Sequence, residues 1–215
     1  MTNETFEVNG EKKQGYLALP AGGSGPGVLL LHAWWGLTDL FKETADKLAA
    51  EGFVVFAPDF FDGAHTAEIA EAEKLVQASG DNFPAMQALA EAAVAFLKGH
   101  SAVTSNKLAV VGFSFGAAYA LVLDEAQPDA FDKVVLFYGM AGANVGKSKA
   151  KVLAHFAEND PYEDTEAARS MSAPNLERHI YPGTGHWFFE HNRADAYNAE
   201  AADLAWQRTI AFLKA

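Results

Sequence analysis

"VVGFSFGAAYAL", Val110–Leu121, joins an apolar run to a glycine, a serine held between two phenylalanines, a second glycine and an alanine-rich continuation. The first part reads as a buried strand and the last as a helix, with the glycines marking the change. Ser114 therefore falls on the turn between them. Gly112–Gly116 fits G-x-S-x-G in the strand–turn–helix setting where that pattern makes a nucleophile elbow. On so sharp a turn the serine backbone is strained, the glycines remove side chains that would strike strand and helix, and Oγ projects into open space. The helix that follows offers free N–H groups and the positive end of its dipole. An N-cap serine in an ordinary strand–helix turn is the plain alternative.

Outward from this stretch, short apolar runs recur at Gly27–His32, Phe53–Pro58, Lys107–Gly112, Lys133–Gly139, Lys151–Ala157 and Glu177–Gly183, and a hairpin is expected around "TFEV" and "GYLAL". Runs that are apolar on both faces and end at Gly or Pro read as buried strands. Helices are expected over Asp39–Ala50 and Pro84–Lys98. In the latter Met86, Leu89, Ala93 and Leu97 share a face and Gly99 follows as a C-cap. At the C-terminus Trp206, Ile210 and Leu213 keep the i, i+4, i+7 spacing of a helix face. Strands alternating with helices imply a mostly parallel, doubly wound sheet flanked by helices on both faces, with ligands bound beyond the carboxyl ends of the strands. No repeat or long linker divides the chain, so one domain over residues 1–215 is expected.

Composition narrows the function. The chain has 215 residues, half of them hydrophobic, and a net charge of −12. That charge disfavours nucleic acid and anionic membrane surfaces, which need a cationic patch. No apolar run reaches spanning length and the N-terminus is polar, so a soluble, cytoplasmic protein is expected. With no cysteine, disulfides, thiolate metal sites and a cysteine nucleophile are excluded.

A serine needs a base, and the base an orienting acid. Of seven histidines, His186 in "YPGTGHWFFE" follows the last expected strand, sits in a glycine-punctuated loop and comes after the serine in chain order. His32 also lies on the catalytic edge and reads as a pocket or loop-bracing residue. His155 falls within a strand as a core group; His65, His100, His179 and His191 read as solvated or capping positions. For the acid, "HFAENDPYED" offers Glu158, Asp160, Glu163 and Asp164. Asp160 stands at the strand-to-loop transition, where Pro161 prevents immediate helix. Asp164 reads as the cap of a helix starting near Thr165.

With Ser114, Asp160 and His186 in that order, the chain resembles the dienelactone hydrolase family of α/β-hydrolases. The stretches that carry the likeness are "LLLHAWWGL", "GFVVFAPDFF", "VVGFSFGAAYAL", "HFAENDPYED", "YPGTGHWFFE" and "YNAEAADLAWQRTIAFLK". The resemblance implies a compact α/β-hydrolase sheet, a Ser114–Asp160–His186 triad, and an oxyanion hole made by the main-chain N–H groups of Phe115 and Trp34. Three departures stand out. Serine replaces the cysteine nucleophile of the dienelactone enzymes; Ala33 stands in the loop where they carry the acidic residue that helps control the thiol; and Glu190 occupies the neighbourhood, shortly after the catalytic histidine, of one of the arginines with which they grip the substrate carboxylate. The first arginine of the chain is Arg169.

An anionic lactone facing that acidic residue is therefore disfavoured. Trp35, Phe113, Trp187 and Phe188, with Trp34, Phe115 and His32, suggest a pocket for a small neutral or hydrophobic ester or lactone. No lid-length insertion follows Lys133–Gly139. The expected reaction is ester or lactone hydrolysis through an acyl-enzyme, with no metal or cofactor and with activity falling in acid as the base protonates. Two alternatives use the same sequence: an acyltransferase with the same first half-reaction, and a non-catalytic binding module on the same fold. Oligomeric state is not legible.

Overall fold

The computed structural model describes residues 2–140 and 145–215. Among the described residues eight strands form one sheet: β1 (Thr2–Val8), β2 (Glu11–Ala18), β3 (Gly27–Leu31), β4 (Val54–Pro58), β5 (Leu108–Phe113), β6 (Phe131–Phe137), β7 (Lys151–Asn159) and β8 (Leu176–Gly185). Their spatial order is β1-β2-β4-β3-β5-β6-β7-β8. β1 pairs with β2, and β2 with β4, antiparallel; every later pairing is parallel. Asn9 and Gly10, both at positive φ, close the first hairpin, as a right-twisted two-residue turn requires.

The apolar runs behave as anticipated in the middle of the sheet. β3, β4 and β5 are buried along their whole length, because helices cover both faces. α3 (Phe83–Gly99) and α4 (Phe115–Ala126) share one core cluster with Leu29, Val110 and Leu136; α1 (Asp39–Ala50) and α6 (Ala199–Lys214) share the other with Val28, Val111 and Leu153. Neighbouring residues of one strand thus feed opposite cores. α2 (Ile69–Asp81) precedes α3, and α5 (Thr165–Ser170) lies between β7 and β8.

Several expectations need correction. Glu177–Gly183 was expected to be a buried strand, yet β8 is half exposed, since as the last strand of the sheet it has a neighbour on one side only. Gly99 is the last helical residue of α3 and His100 caps it with φ −73°, so no left-handed glycine is required there. On α6 the buried face is Ala201, Ala202, Ala205, Thr209 and Leu213; Trp206 and Ile210 only flank it. Small residues let that helix sit close to the sheet. Among the described residues, the connection from β6 to β7 contains a 3-10 turn, Val145–Lys147; the part of the lid expectation that falls on residues 141–144 lies outside the described residues. Among the described residues no helix is long and apolar enough to cross a membrane.

β3 is where the chain reverses direction across the sheet: β4 lies on one side of it and β5 on the other. The crevice beyond the carboxyl ends of β3 and β5 is the expected ligand position in such a sheet.

Candidate active site

Ser114 follows β5 at that crevice. Its backbone sits at φ 50°, ψ −111°, a conformation that costs a non-glycine residue of order 1–3 kcal/mol and persists only when its surroundings enforce it. The two glycines show how. A Cβ on Gly112 would lie 2.4 Å from the Gly116 carbonyl oxygen, and one on Gly116 would lie 2.3 Å from that of Leu31 and 2.6 Å from that of His32. The elbow is a three-way backbone contact between β5, α4 and β3 with no room for a side chain. Gly139 closes the other flank, since a Cβ there would meet the Ser114 carbonyl oxygen at 2.5 Å. Ser114 N–H is tied to the Phe137 carbonyl at 2.8 Å.

The three separated side chains meet. Ser114 Oγ lies 2.8 Å from His186 Nε2, and His186 Nδ1 lies 2.7 Å from Asp160 Oδ2. A carboxylate accepts only, so Nδ1 carries the proton and Nε2 accepts from the serine hydroxyl. Asp160 is fixed in turn: its Oδ1 accepts the Tyr162 and Glu163 backbone N–H groups at 2.9 and 3.2 Å. The His186 and Asp160 side chains are 3% and 1% exposed, which shields their bond from water. Asp164 caps α5 by accepting from Ala167 N–H at 2.9 Å.

Phe115 is the first residue of α4, so its N–H has no acceptor inside the helix. Trp34 lies three residues beyond β3, in a loop braced by His32. That imidazole is fully buried; its Nε2 accepts the Phe60 N–H at 3.1 Å and its Nδ1 donates to the Ala33 carbonyl at 2.7 Å. Burial lowers its pKa, which keeps it neutral. His32 therefore holds the Trp34 loop against the chain after β4 and does not line a substrate pocket. Two other pocket expectations also fail on burial: Phe113 (1% exposed) stacks on Phe137 at 4.5 Å, and Phe188 (0%) packs on Tyr181 at 4.9 Å, both in the core. Trp35 is buried as well, against Trp187 and under the Arg193 guanidinium at 4.7 Å.

What stands beside the triad is a smaller aromatic group. Tyr162, 46% exposed, lies 5.0 Å from the His186 ring, 5.1 Å from Trp187 and 5.4 Å from the half-buried Trp34. Sequence reasoning passed over Tyr162, although it lies two residues from Asp160 in the segment that was read for the acid. It passed over Tyr138 too, whose ring lies 4.9 Å from the imidazole. Glu190, expected from the sequence to face the substrate as an acidic wall, is instead fully buried, with Oε1 accepting the Tyr138 hydroxyl at 2.9 Å. Burial pushes its carboxyl up to about 8. Glu163 is pushed up to about 7 by burial and by the neighbouring Asp160 charge.

A cavity of about 500 Å³ lies elsewhere, lined by Gln14, Leu40, Glu43, His65 and His191 among others and by none of the triad. Among the described residues no group of three or more His, Asp or Glu side chains is arranged to hold a metal ion.

Known proteins resemble this chain in sequence and in fold. Residues 14–215 match the model of the dienelactone hydrolase family. The protein named usf of Aquifex pyrophilus is 34% identical, over 97% of this chain and 96% of that protein. A carboxymethylenebutenolidase of Pseudomonas putida is 25% identical, over 90% and 87%. Among solved structures, a dienelactone hydrolase-like promiscuous phosphotriesterase from metagenomic libraries superposes with a TM-score of 0.83 at 24% identity, covering 99% of this chain and 96% of that one. That likeness identifies the fold as the α/β-hydrolase fold.

Proposed function

The chain belongs to the dienelactone hydrolase family and is a carboxylic ester hydrolase, and from that premise we propose that it is a serine hydrolase of small neutral or hydrophobic esters or lactones. The observation that carries this reading is the unbroken relay from Ser114 Oγ to His186 to Asp160, at 2.8 and 2.7 Å.

In this reading Ser114 Oγ attacks the substrate carbonyl carbon while His186 Nε2 takes the hydroxyl proton. Asp160 holds the imidazole tautomer and stabilises the imidazolium that forms. The carbonyl oxygen, now an oxyanion, is met by the N–H groups of Phe115 and Trp34; each such donor contributes about 2.7–4 kcal/mol in enzymes of this chemistry. Collapse expels the alkoxide, which leaves with the proton from His186. Water then attacks the acyl-enzyme with His186 again as base, releasing the acid and restoring Ser114. The Trp34–Tyr162–Trp187 group favours an apolar substituent beside the scissile bond. No arginine replaces the carboxylate grip of the dienelactone enzymes at position 190, which disfavours an anionic substrate.

Turnover of p-nitrophenyl acetate by the Ser114→Ala protein tests the assignment. The expected result is a loss of at least about a thousandfold in kcat, with the fold intact. Retention of most of the activity would reject this site.

A further inference from the structure

We propose that Glu190 is a positioning residue for this hydrolytic reaction: its buried carboxyl grips the Tyr138 hydroxyl, and that pair fixes the imidazole of His186. The inference rests on the serine-hydrolase reading of the triad.

Glu190 is four residues beyond His186 and has no exposed surface. A carboxyl is seldom buried without a task, because removing it from water is costly unless partners compensate. Here compensation is partial. Oε1 accepts the Tyr138 hydroxyl at 2.9 Å, whereas Oε2 has no hydrogen-bond partner. The Trp35 indole N–H is also unpartnered by normal geometry, yet it and the Arg193 charge favour the ionised carboxyl. The guanidinium of Arg193 is itself pinned over the rings of Trp35 and Trp187 at 4.7 and 4.9 Å. An apolar residue would fill position 190 without this cost, so packing alone does not account for a glutamate there.

Its partner is equally constrained. Tyr138 directly follows β6, is fully buried, and holds φ 37°. Of the five described non-glycine residues at positive φ, three surround the site: Ser114, Tyr138 and Trp187. For a bulky aromatic this backbone is a strained outlier, so something must hold it. Two bonds do: Tyr138 N–H to the His155 carbonyl at 2.8 Å, and its hydroxyl to Glu190. The ring so held lies 4.9 Å from the imidazole. Glu190 also ties its own loop, donating its N–H to the Trp187 carbonyl at 2.8 Å and accepting from Arg193 N–H at 2.9 Å. One carboxyl thus joins the loop that carries His186 to the residue that packs against His186.

Loss of the grip frees the imidazole to leave its reactive alignment, and small misplacements of catalytic groups are expensive in rate. Steady-state kinetics with p-nitrophenyl acetate on Glu190→Ala, Tyr138→Phe, the double variant and Glu190→Gln provide the test, with thermal unfolding in parallel. Expected are a fall of about tenfold or more in kcat with KM nearly unchanged for either single loss, no further fall in the double variant, and recovery of most of kcat in Glu190→Gln, whose amide still bonds the Tyr138 hydroxyl. Tyr138→Phe removes one oxygen and serves if Glu190→Ala does not fold. Full kcat in folded Tyr138→Phe, losses that multiply in the double variant, or no recovery with glutamine would overturn the positioning role. Failure of the triad reading is distinguishable, because it appears as activity in Ser114→Ala.

Discussion

At the scale of single residues, the site depends on what is missing as much as on what is present. Ser114 reaches its partner only because Gly112 and Gly116 let three backbone segments touch. Gly116→Ala places a methyl group 2.3 Å from the Leu31 carbonyl oxygen, and backbone cannot swing aside as a side chain can. The variant should lose about 1–3 kcal/mol of stability, read as a lower urea midpoint. Gly99→Ala is the control: a Cβ there meets nothing within 4 Å, so its midpoint should hold or rise. Equal midpoints for the two variants would mean the elbow tolerates a side chain. That Ser114, His186 and Asp160 would lie at one rim of the sheet was legible from chain order and from position after a strand. Tyr138 and Tyr162 were not, because an aromatic beside a catalytic group looks like any core aromatic until the fold brings it to an imidazole.

Among the elements, the central strands were readable because helices on both sides demand unbroken apolar runs, whereas the edge strand β8 carries that pattern only in part and was misjudged. Helix ends follow local chemistry. Asn198 precedes α6 and accepts the Ala201 N–H at 3.1 Å, satisfying one of the donors that a helix start leaves free. Asn198→Ala should cost about 1 kcal/mol, measurable in the same urea titration, and should leave ester turnover unchanged. A loss of turnover at unchanged stability would show instead that α6 communicates with the triad. The inner face of that helix differs in detail from the expectation, because Trp206 and Ile210 are the larger apolar residues, yet the buried ones are Ala201, Ala202, Ala205, Thr209 and Leu213.

For the whole molecule, the fold imposes a pH response. Glu190 and Glu163 ionise near 4.5 when free and are pushed up to about 8 and about 7 in the fold. Between those values the unfolded chain releases its protons first, so stability falls as pH rises through the window. Each unit of displacement corresponds to about 1.4 kcal/mol, and for the fully buried Glu190 the effect is on the order of a few kcal/mol. Glu190→Gln cannot ionise, so its stability relative to the natural protein should be more favourable at pH 8 than at pH 5. An identical difference at both pH values would mean that Glu190 ionises in the fold as it does in the unfolded chain. The sequence alone determined the α/β alternation, the elbow and the order of serine, acid and histidine, since these follow from local periodicity, glycine placement and chain direction. Only the tertiary structure decided that His32 braces a loop, that Phe113 and Phe188 belong to the core, and that Glu190 turns inward to Tyr138. Burial and partnership are properties of three-dimensional neighbours, and residues 52 positions apart leave no mark of their meeting in the spacing of either.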